Sequence, residues 1–278
     1  MPFPSRPVRF AVQFRAALCL LVGAPLAGAP LAAQQHETAF SWSGTLADGR
    51  RVYIKDVNGS ITVTRSRNGR VEVSAEKRWR RGDPSDVRIE QRSIDGDLLV
   101  CALWQEDAAC DRGGIRTPKG RWRDRSEVTV HFTVRVPEGV PVDLHTVNGG
   151  IEVSDVTAGV TAETVNGSIA ARSTGGPVRA STVNGSIAVT MGQVGPADTL
   201  EYHTVNGAIT LTLPPQVSAS VECRTVNGQV VTDLPLTVTG AVGGTGRRRV
   251  VGTIGTGTPT ALLRAETVNG RIHLRPGT

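Results

Sequence analysis

The stretch Val160-Thr161-Ala162-Glu163-Thr164-Val165-Asn166-Gly167-Ser168-Ile169 returns 18 residues later as Val178-Arg179-Ala180-Ser181-Thr182-Val183-Asn184-Gly185-Ser186-Ile187, and this pair decides the fold. Val160, Ala162, Thr164 and Asn166 share one parity, and side chains alternate faces along a strand, so the four point the same way. After the glycine the phase flips, and Ile169 with Ala171, or Ile187 with Val189, becomes the apolar set. Working outward, Val-Asn-Gly occurs at Val57, Val147, Val165, Val183, Val205, Val226 and Val268. All but the first copy read Thr-Val-Asn-Gly; the first carries Asp56 in place of Thr. From Val147 to Val226 the gaps are 18, 18, 22 and 21 residues, about one turn of a coiled β-ribbon, and they predict an all-β parallel β-solenoid.

In this reading Asn58, Asn148, Asn166, Asn184, Asn206, Asn227 and Asn269 form a structural ladder of inward-facing amides in left-handed bends, with glycine beside each to tolerate positive φ. Asn-Gly is also the strongest short signal for a two-residue hairpin, which would pair the flanking strands with each other. The regular spacing and shared parity favour rungs. Val250-Val251-Gly252-Thr253-Ile254, 18 residues before Val268, reads as a degenerate corner without its Asn. If Thr and Asn point in, the valines between them stack outward into an apolar ridge, unless the corner turns them inward.

Arg6, Arg9 and Arg15 precede an apolar run from Ala16 to Ala33, the layout of a secretory signal peptide cleaved near Ala33. The expected domains are therefore 1–33, signal peptide; 34–139, a β-rich capping region; and 140–278, the repeat array, with an extracytoplasmic location and no membrane span in the mature chain. Without the leader's three arginines, 28 basic and 25 acidic residues remain, a net charge of about +3 that gives no reason to expect nucleic acid. Aromatic residues make up only 4% of the chain, so the core must be built from Val, Ile, Leu and Ala.

Cys101 and Cys110 enclose a short polar loop, and an oxidising compartment predicts a disulfide between them; a metal site would need further ligands at suitable spacing, which are lacking. Cys223 shares the inward parity of Ala162 and Ala180 and reads as a buried apolar residue. Two segments combine tryptophan with cations, Arg78-Trp79-Arg80 and Arg121-Trp122-Arg123, and are the candidate binding residues: aromatic planes and guanidinium groups suit sugar rings and anionic polymers, while the plainer reading is loop tips packed on a sheet edge. Arg81-Gly82-Asp83 reads as an exposed turn before Pro84. His145 and His203 fall on the outer face. The carboxylate pairs Asp143 with Glu163 and Glu152 with Asp155 are the only hints of a polysaccharide-cleaving site. The basic run from Gly243 to Arg249 lacks the ending of a phosphate-binding loop. No catalytic residue, metal or cofactor is expected.

The repeated Thr-Val-Asn-Gly-x-Ile, after a leader and the hinge Val136-Pro137-Glu138-Gly139-Val140, resembles the bacterial putative-adhesin family of secreted β-strand-repeat proteins from about Arg51 to Leu274. Cys101-Ala102-Leu103 with Cys110 is similar to that family's region before the array. The resemblance implies a secreted or envelope β-solenoid without established catalytic residues; the leading expectation is a non-enzymatic binding protein whose partner is a glycan or an envelope or surface protein. The alternatives are a β-helical carbohydrate-active enzyme and a structural envelope component without a ligand.

Overall fold

The computed structural model describes residues 35–117, 127–173, 175–244, 247–256 and 258–277, all within one compact unit spanning residues 33–278. The expected signal peptide, 1–33, lies outside the described residues. The amino-terminal strands are β1 (Gln35–Gly44), β2 (Val52–Lys55), β3 (Ile61–Arg65), β4 (Val71–Trp79), β5 (Arg88–Ile94), β6 (Asp97–Leu103), β7 (Ala109–Asp111), β8 (Gly114–Arg116) and β9 (Thr129–Val136). The repeats supply β10 (Val142–His145), β11 (Ile151–Val156), β12 (Val160–Glu163), β13 (Ile169–Ser173), β14 (Val178–Asn184), β15 (Ile187–Met191), β16 (Thr199–Asn206), β17 (Ile209–Leu213), β18 (Ala219–Asn227) and β19 (Val230–Thr232). Then come β20 (Leu236–Gly244), β21 (Arg247–Ile254), β22 (Ala261–Asn269) and β23 (Ile272–Pro276). The fold is all-β, and the only helical element among the described residues is a short 3-10 turn, Pro84–Asp86.

Each corner divides a repeat between two sheets. Strands before the corner pair in parallel with other pre-corner strands, and strands after it pair with post-corner strands, so Val142 faces both Val52 and Val160, and Ile151 faces both Ile61 and Ile169. No corner is a hairpin. The sheet orders are β1-β4-β9-β3-β11-β13-β15-β17-β23-β19 and β20-β21-β18-β22-β16-β14-β12-β10-β2-β6-β5. Both sheets are mixed and parallel through the repeats; the first is antiparallel at its β1-β4-β9 end alone, the second at both ends. Their inward faces share one apolar cluster in which Val142, Leu144, Ile151, Val160, Ala162, Ile169, Ile187 and Leu211 are buried. The lone amino-terminal copy belongs to the same ladders, since β2 pairs with β10 and β3 with β11.

Three expectations are corrected. The corner asparagines do not face inward: Asn148, Asn166, Asn184, Asn206, Asn227 and Asn269 are exposed, and none of them has a positive φ. It is the preceding threonine that is buried, at Thr146, Thr164, Thr182, Thr204, Thr225 and Thr267. The reason is parity at a corner: the bend falls between Thr and Asn, so the alternation expected of a straight strand breaks there. Second, Val251 is no corner. It lies inside β21, which runs antiparallel to both β18 and β20.

The third correction concerns order. The last repeat in the chain, β22 and β23, does not end the stack but sits between the Val205 and Val226 repeats: β22 pairs with β16 and β18, and β23 with β17 and β19. Residues of β23 therefore lie inside the sheet, not at its edge. The link from β17 to β18 leaves a one-strand gap, and the chain fills it only after making β20 and β21. Charge explains the choice of order. In the outer column Glu201, Arg264, Glu222 the signs alternate, with Arg264 to Glu201 3.5 Å and Arg264 to Glu222 3.9 Å. A neighbouring column runs His203, Glu266, Arg224. Stacking in chain order would set Glu201 beside Glu222, and like charges directly opposite each other are unfavourable.

The predicted disulfide is present: Cys101 and Cys110 are bonded. It anchors the β7–β8 hairpin over the outer face of β6, making a second small core of Leu99, Cys101, Leu103, Ala108 and Cys110 with Tyr53 and Ile115 against it. That is why β6 is buried on both faces.

Two outcomes follow. Arg264→Glu should lower stability by on the order of 1 kcal/mol, with partial recovery in high salt, because the pairs it breaks are half-exposed and screened; denaturation at low and high salt measures it, and an unchanged midpoint at low salt would refute the charge-ordering argument. Replacing Cys101 and Cys110 by serine should cost roughly 2–3 kcal/mol for so short a loop and make the β7–β8 hairpin the first site of proteolytic nicking; limited proteolysis with mass mapping reads the position of the cut.

Candidate functional site

The corner is built by three repeated contacts. Each buried threonine hydroxyl donates to a glycine carbonyl of the adjacent repeat, for example Thr164 to Gly149 at 2.9 Å and Thr204 to Gly185 at 2.8 Å. Each glycine is needed for close approach: a Cβ on Gly167 would lie 2.0 Å from the Gly149 carbonyl oxygen, and one on Gly207 1.9 Å from that of Gly185. The corner asparagines then stack along the order Asn58, Asn148, Asn166, Asn184, Asn206, Asn269, Asn227, each Nδ2 donating at 2.7 or 2.8 Å to the Oδ1 of the asparagine before it. The ladder foreseen from sequence is thus real in its membership and reversed in its facing.

Beside the amides runs the valine column. Val147, Val165, Val183, Val205 and Val268 are 37–39% exposed, the most exposed large apolar side chains among the described residues apart from Val238. Ser168 and Ser186 flank it on the far side of the glycine. Between Val147 and Val205 the strip Val-Asn-Gly-x carries no charge, and neighbouring strands are about 4.8 Å apart. It is a flat, uncharged surface with one repeated chemistry.

At its amino-terminal end the strip borders a groove of about 630 Å³ lined by Lys55, Val57, Asn58, His145, Val147, Asn148, Glu163, Val165 and, from the disulfide hairpin, Gly114, Ile115 and Thr117. Its polar wall is a chain of contacts across three repeats. Lys55 Nζ lies 2.7 Å from Asp143 Oδ1, and His145 bridges Asp143 at 3.0 Å and Glu163 at 3.2 Å. Burial pushes the Lys55 amine down against the pull of Asp143. For Asp143 burial works upward, but the hydrogen bonds from His145 and Lys55 outweigh it and hold the carboxyl below its usual range.

A glycan-cleaving centre needs a reachable carboxyl kept protonated near neutrality. Asp143 is held ionised, and Glu222 is lowered by hydrogen bonds from Arg249 and Arg224. Among the described residues the carboxyl raised well above its usual value is that of Asp56, raised by burial, and it is 3% exposed. No described group of His, Cys, Asp and Glu is arranged to hold a metal.

The other sequence candidates fall as follows. Arg78 pairs with Glu76 at 2.8 Å, Trp79 packs partly buried against the core, and Arg80 is exposed. Arg121, Trp122 and Arg123 lie outside the described residues. The carboxylate of Asp83 accepts a hydrogen bond from the Ser85 amide and caps the 3-10 turn, a local use for the Arg-Gly-Asp aspartate. Cys223 is buried, which pushes its thiol up to about 12. Asp155 is engaged by Arg172 at 2.6 Å. Sequence reasoning missed the Lys55–Asp143 contact because its partners lie 88 residues apart.

No protein-family model matches the chain, and no curated protein does. Among solved structures it is similar to a putative cell adhesion protein from Clostridium sporogenes ATCC 15579, at 8% identity and a TM-score of 0.43, covering 88% of this chain and 100% of that one. It is also similar to a putative adhesin from Bacteroides fragilis NCTC 9343, at 12% identity and a TM-score of 0.41, covering 87% and 98%. At such scores neither likeness carries a functional argument.

Asp56 yields a prediction. It stands where the other repeats place threonine, and neither carboxyl oxygen has a hydrogen-bond partner. The Val57 and Asn58 amides and the Thr146 hydroxyl lie near enough to oppose the upward shift without outweighing burial. Beneath Gly59 the Val130 carbonyl occupies the place of the neighbouring glycine carbonyl. Asp56→Thr supplies the missing donor and should stabilise the chain by about 1–3 kcal/mol at neutral pH. The sign with pH is fixed: the folded carboxyl holds its proton where the unfolded one releases it, so wild-type stability falls as pH rises from about 4 toward the folded value. The variant lacks that fall. Urea titrations at acid and neutral pH should show its advantage widening upward; an advantage that shrank with pH would refute the assignment.

Proposed function

We propose that this chain is an exported, non-enzymatic, adhesin-like binding protein: a parallel β-solenoid, capped by residues 34–139, that meets an envelope or extracellular partner through its corner. The observation that carries this reading is the uncharged strip of half-exposed valines and laddered asparagines, wide enough to receive an extended partner and bordered by a groove. Export is supported by the disulfide, a bond that persists in oxidising compartments, and by the layout of the first 33 residues.

Chemically, valine methyl groups suit the C–H faces of sugar rings or an apolar peptide stripe. Each inner asparagine spends one N–H and one lone pair on the ladder and keeps one of each for a partner. The test is a glycan array, with envelope polysaccharide as a second probe, using the full mature chain, Val165→Lys/Val183→Lys, and separately Trp79→Ala and Trp122→Ala. The expected result is at least tenfold weaker binding for the valine pair, about 1.4 kcal/mol, without product release. Undiminished binding by the valine pair, with loss in the tryptophan variants, would move the contact to the Arg78-Trp79-Arg80 and Arg121-Trp122-Arg123 segments.

A further inference from the structure

Asn-Gly is the dipeptide most open to attack by its own backbone, because glycine offers no side chain to hinder the approach of its nitrogen to the asparagine carbonyl. The chain exposes this dipeptide repeatedly, and the fold does not treat the copies alike. The amide N–H of Gly59 donates to the Asn148 carbonyl at 2.9 Å, and those of Gly149, Gly167 and Gly185 donate to Asn166, Asn184 and Asn206 at 3.0 Å. Gly207 donates to Asn269 at 3.1 Å and Gly270 to Asn227 at 3.2 Å. Because the last repeat inserts between the Val205 and Val226 repeats, the ladder ends at Asn227. There Gly228 N–H has no acceptor among the described residues, and Asn227 Oδ1 accepts from no further asparagine, although its Nδ2 donates to Asn269 at 2.8 Å. The side chain of Asn227 is exposed.

We infer that Asn227 is a modification site, the residue at which this protein deamidates first. The nitrogen of Gly228, on losing its proton, attacks Cγ of Asn227. A new C–N bond closes a five-membered imide, the bond from Cγ to Nδ2 breaks, and ammonia leaves with the proton. Water then opens the imide at either carbonyl to give aspartate or isoaspartate, with no oxidant or reductant involved. At the other corners the attacking N–H is tied to the neighbouring repeat and must be freed before it can react. That hydrogen bond sets a rate difference of roughly five- to tenfold, equivalent to about 1.0–1.4 kcal/mol. The product places a carboxylate at the open end of the amide column, where it can no longer present the neutral acceptor that a further repeat or a partner strand would meet.

The test is peptide mapping by mass spectrometry after the folded full chain is held in mildly alkaline buffer at physiological temperature, alongside the same chain held in denaturant. In the folded protein the peptide carrying Asn227 should gain roughly one dalton about five to ten times faster than those carrying Asn148, Asn166 and Asn184. In denaturant the four should react at comparable rates. Equal rates in the folded chain, or the same ranking in denaturant, would overturn the inference, the first by removing the protection and the second by assigning it to local sequence.

Discussion

The structure depends on a distance: at every corner the backbone of one repeat sits so close to the next that only a hydrogen atom fits between the glycine Cα and the neighbouring carbonyl. A Cβ at Gly149, Gly167, Gly185, Gly207, Gly228 or Gly270 would lie 1.8–2.0 Å from that oxygen. The same carbonyl receives the threonine hydroxyl of the next repeat. One oxygen thereby fixes two residue types, glycine because of the contact and threonine because a buried polar group must be satisfied. The asparagine follows from a different requirement. Exposed at the bend, its amide can reach its copies on both sides, and a row of such bonds holds the register that the apolar core alone would leave free to slip.

This arrangement shapes the outer surface. With threonine turned inward and asparagine committed along the column, valine is the residue left facing out between them, and its β-branched side chain suits the extended backbone there. The apolar strip is thus a by-product of corner geometry, with a chemistry repeated at strand spacing. Nearby charges are kept off it: Arg179, Glu201, Arg264 and Glu222 pair among themselves further back on the pre-corner sheet.

Much of this was legible in the residues. The phase flip across Val165-Asn166-Gly167 identifies both inward faces, and Ile151, Ile169, Ile187, Ile209 and Ile272 are buried as that flip requires. Parity failed only at the bend, where a strand rule was carried one residue too far and placed asparagine inside. The corner glycines do not serve a left-handed bend: apart from Gly59, none has a positive φ, and the close approach of two repeats leaves no mark in a single repeat's sequence. The groove was illegible for a related reason. Asp143, Glu163 and His145 are legible as outward neighbours, but only the pairing of β2 with β10, across the 86 residues between them, brings Lys55 into contact with that set.

The insertion of the last repeat is the step at which local rules cease to suffice. Every repeat carries the same corner, so the corner gives no preference for which repeat lies beside which. Two other features supply it. The antiparallel strand β21 occupies the far side of β18, leaving β22 to enter on the near side, next to β16. The outer column Glu201, Arg264, Glu222 then alternates in sign, with Arg264 in the middle. Sequence identity between repeats therefore builds the stack, and the differences between repeats, which look like noise when the copies are aligned, assign each one its place.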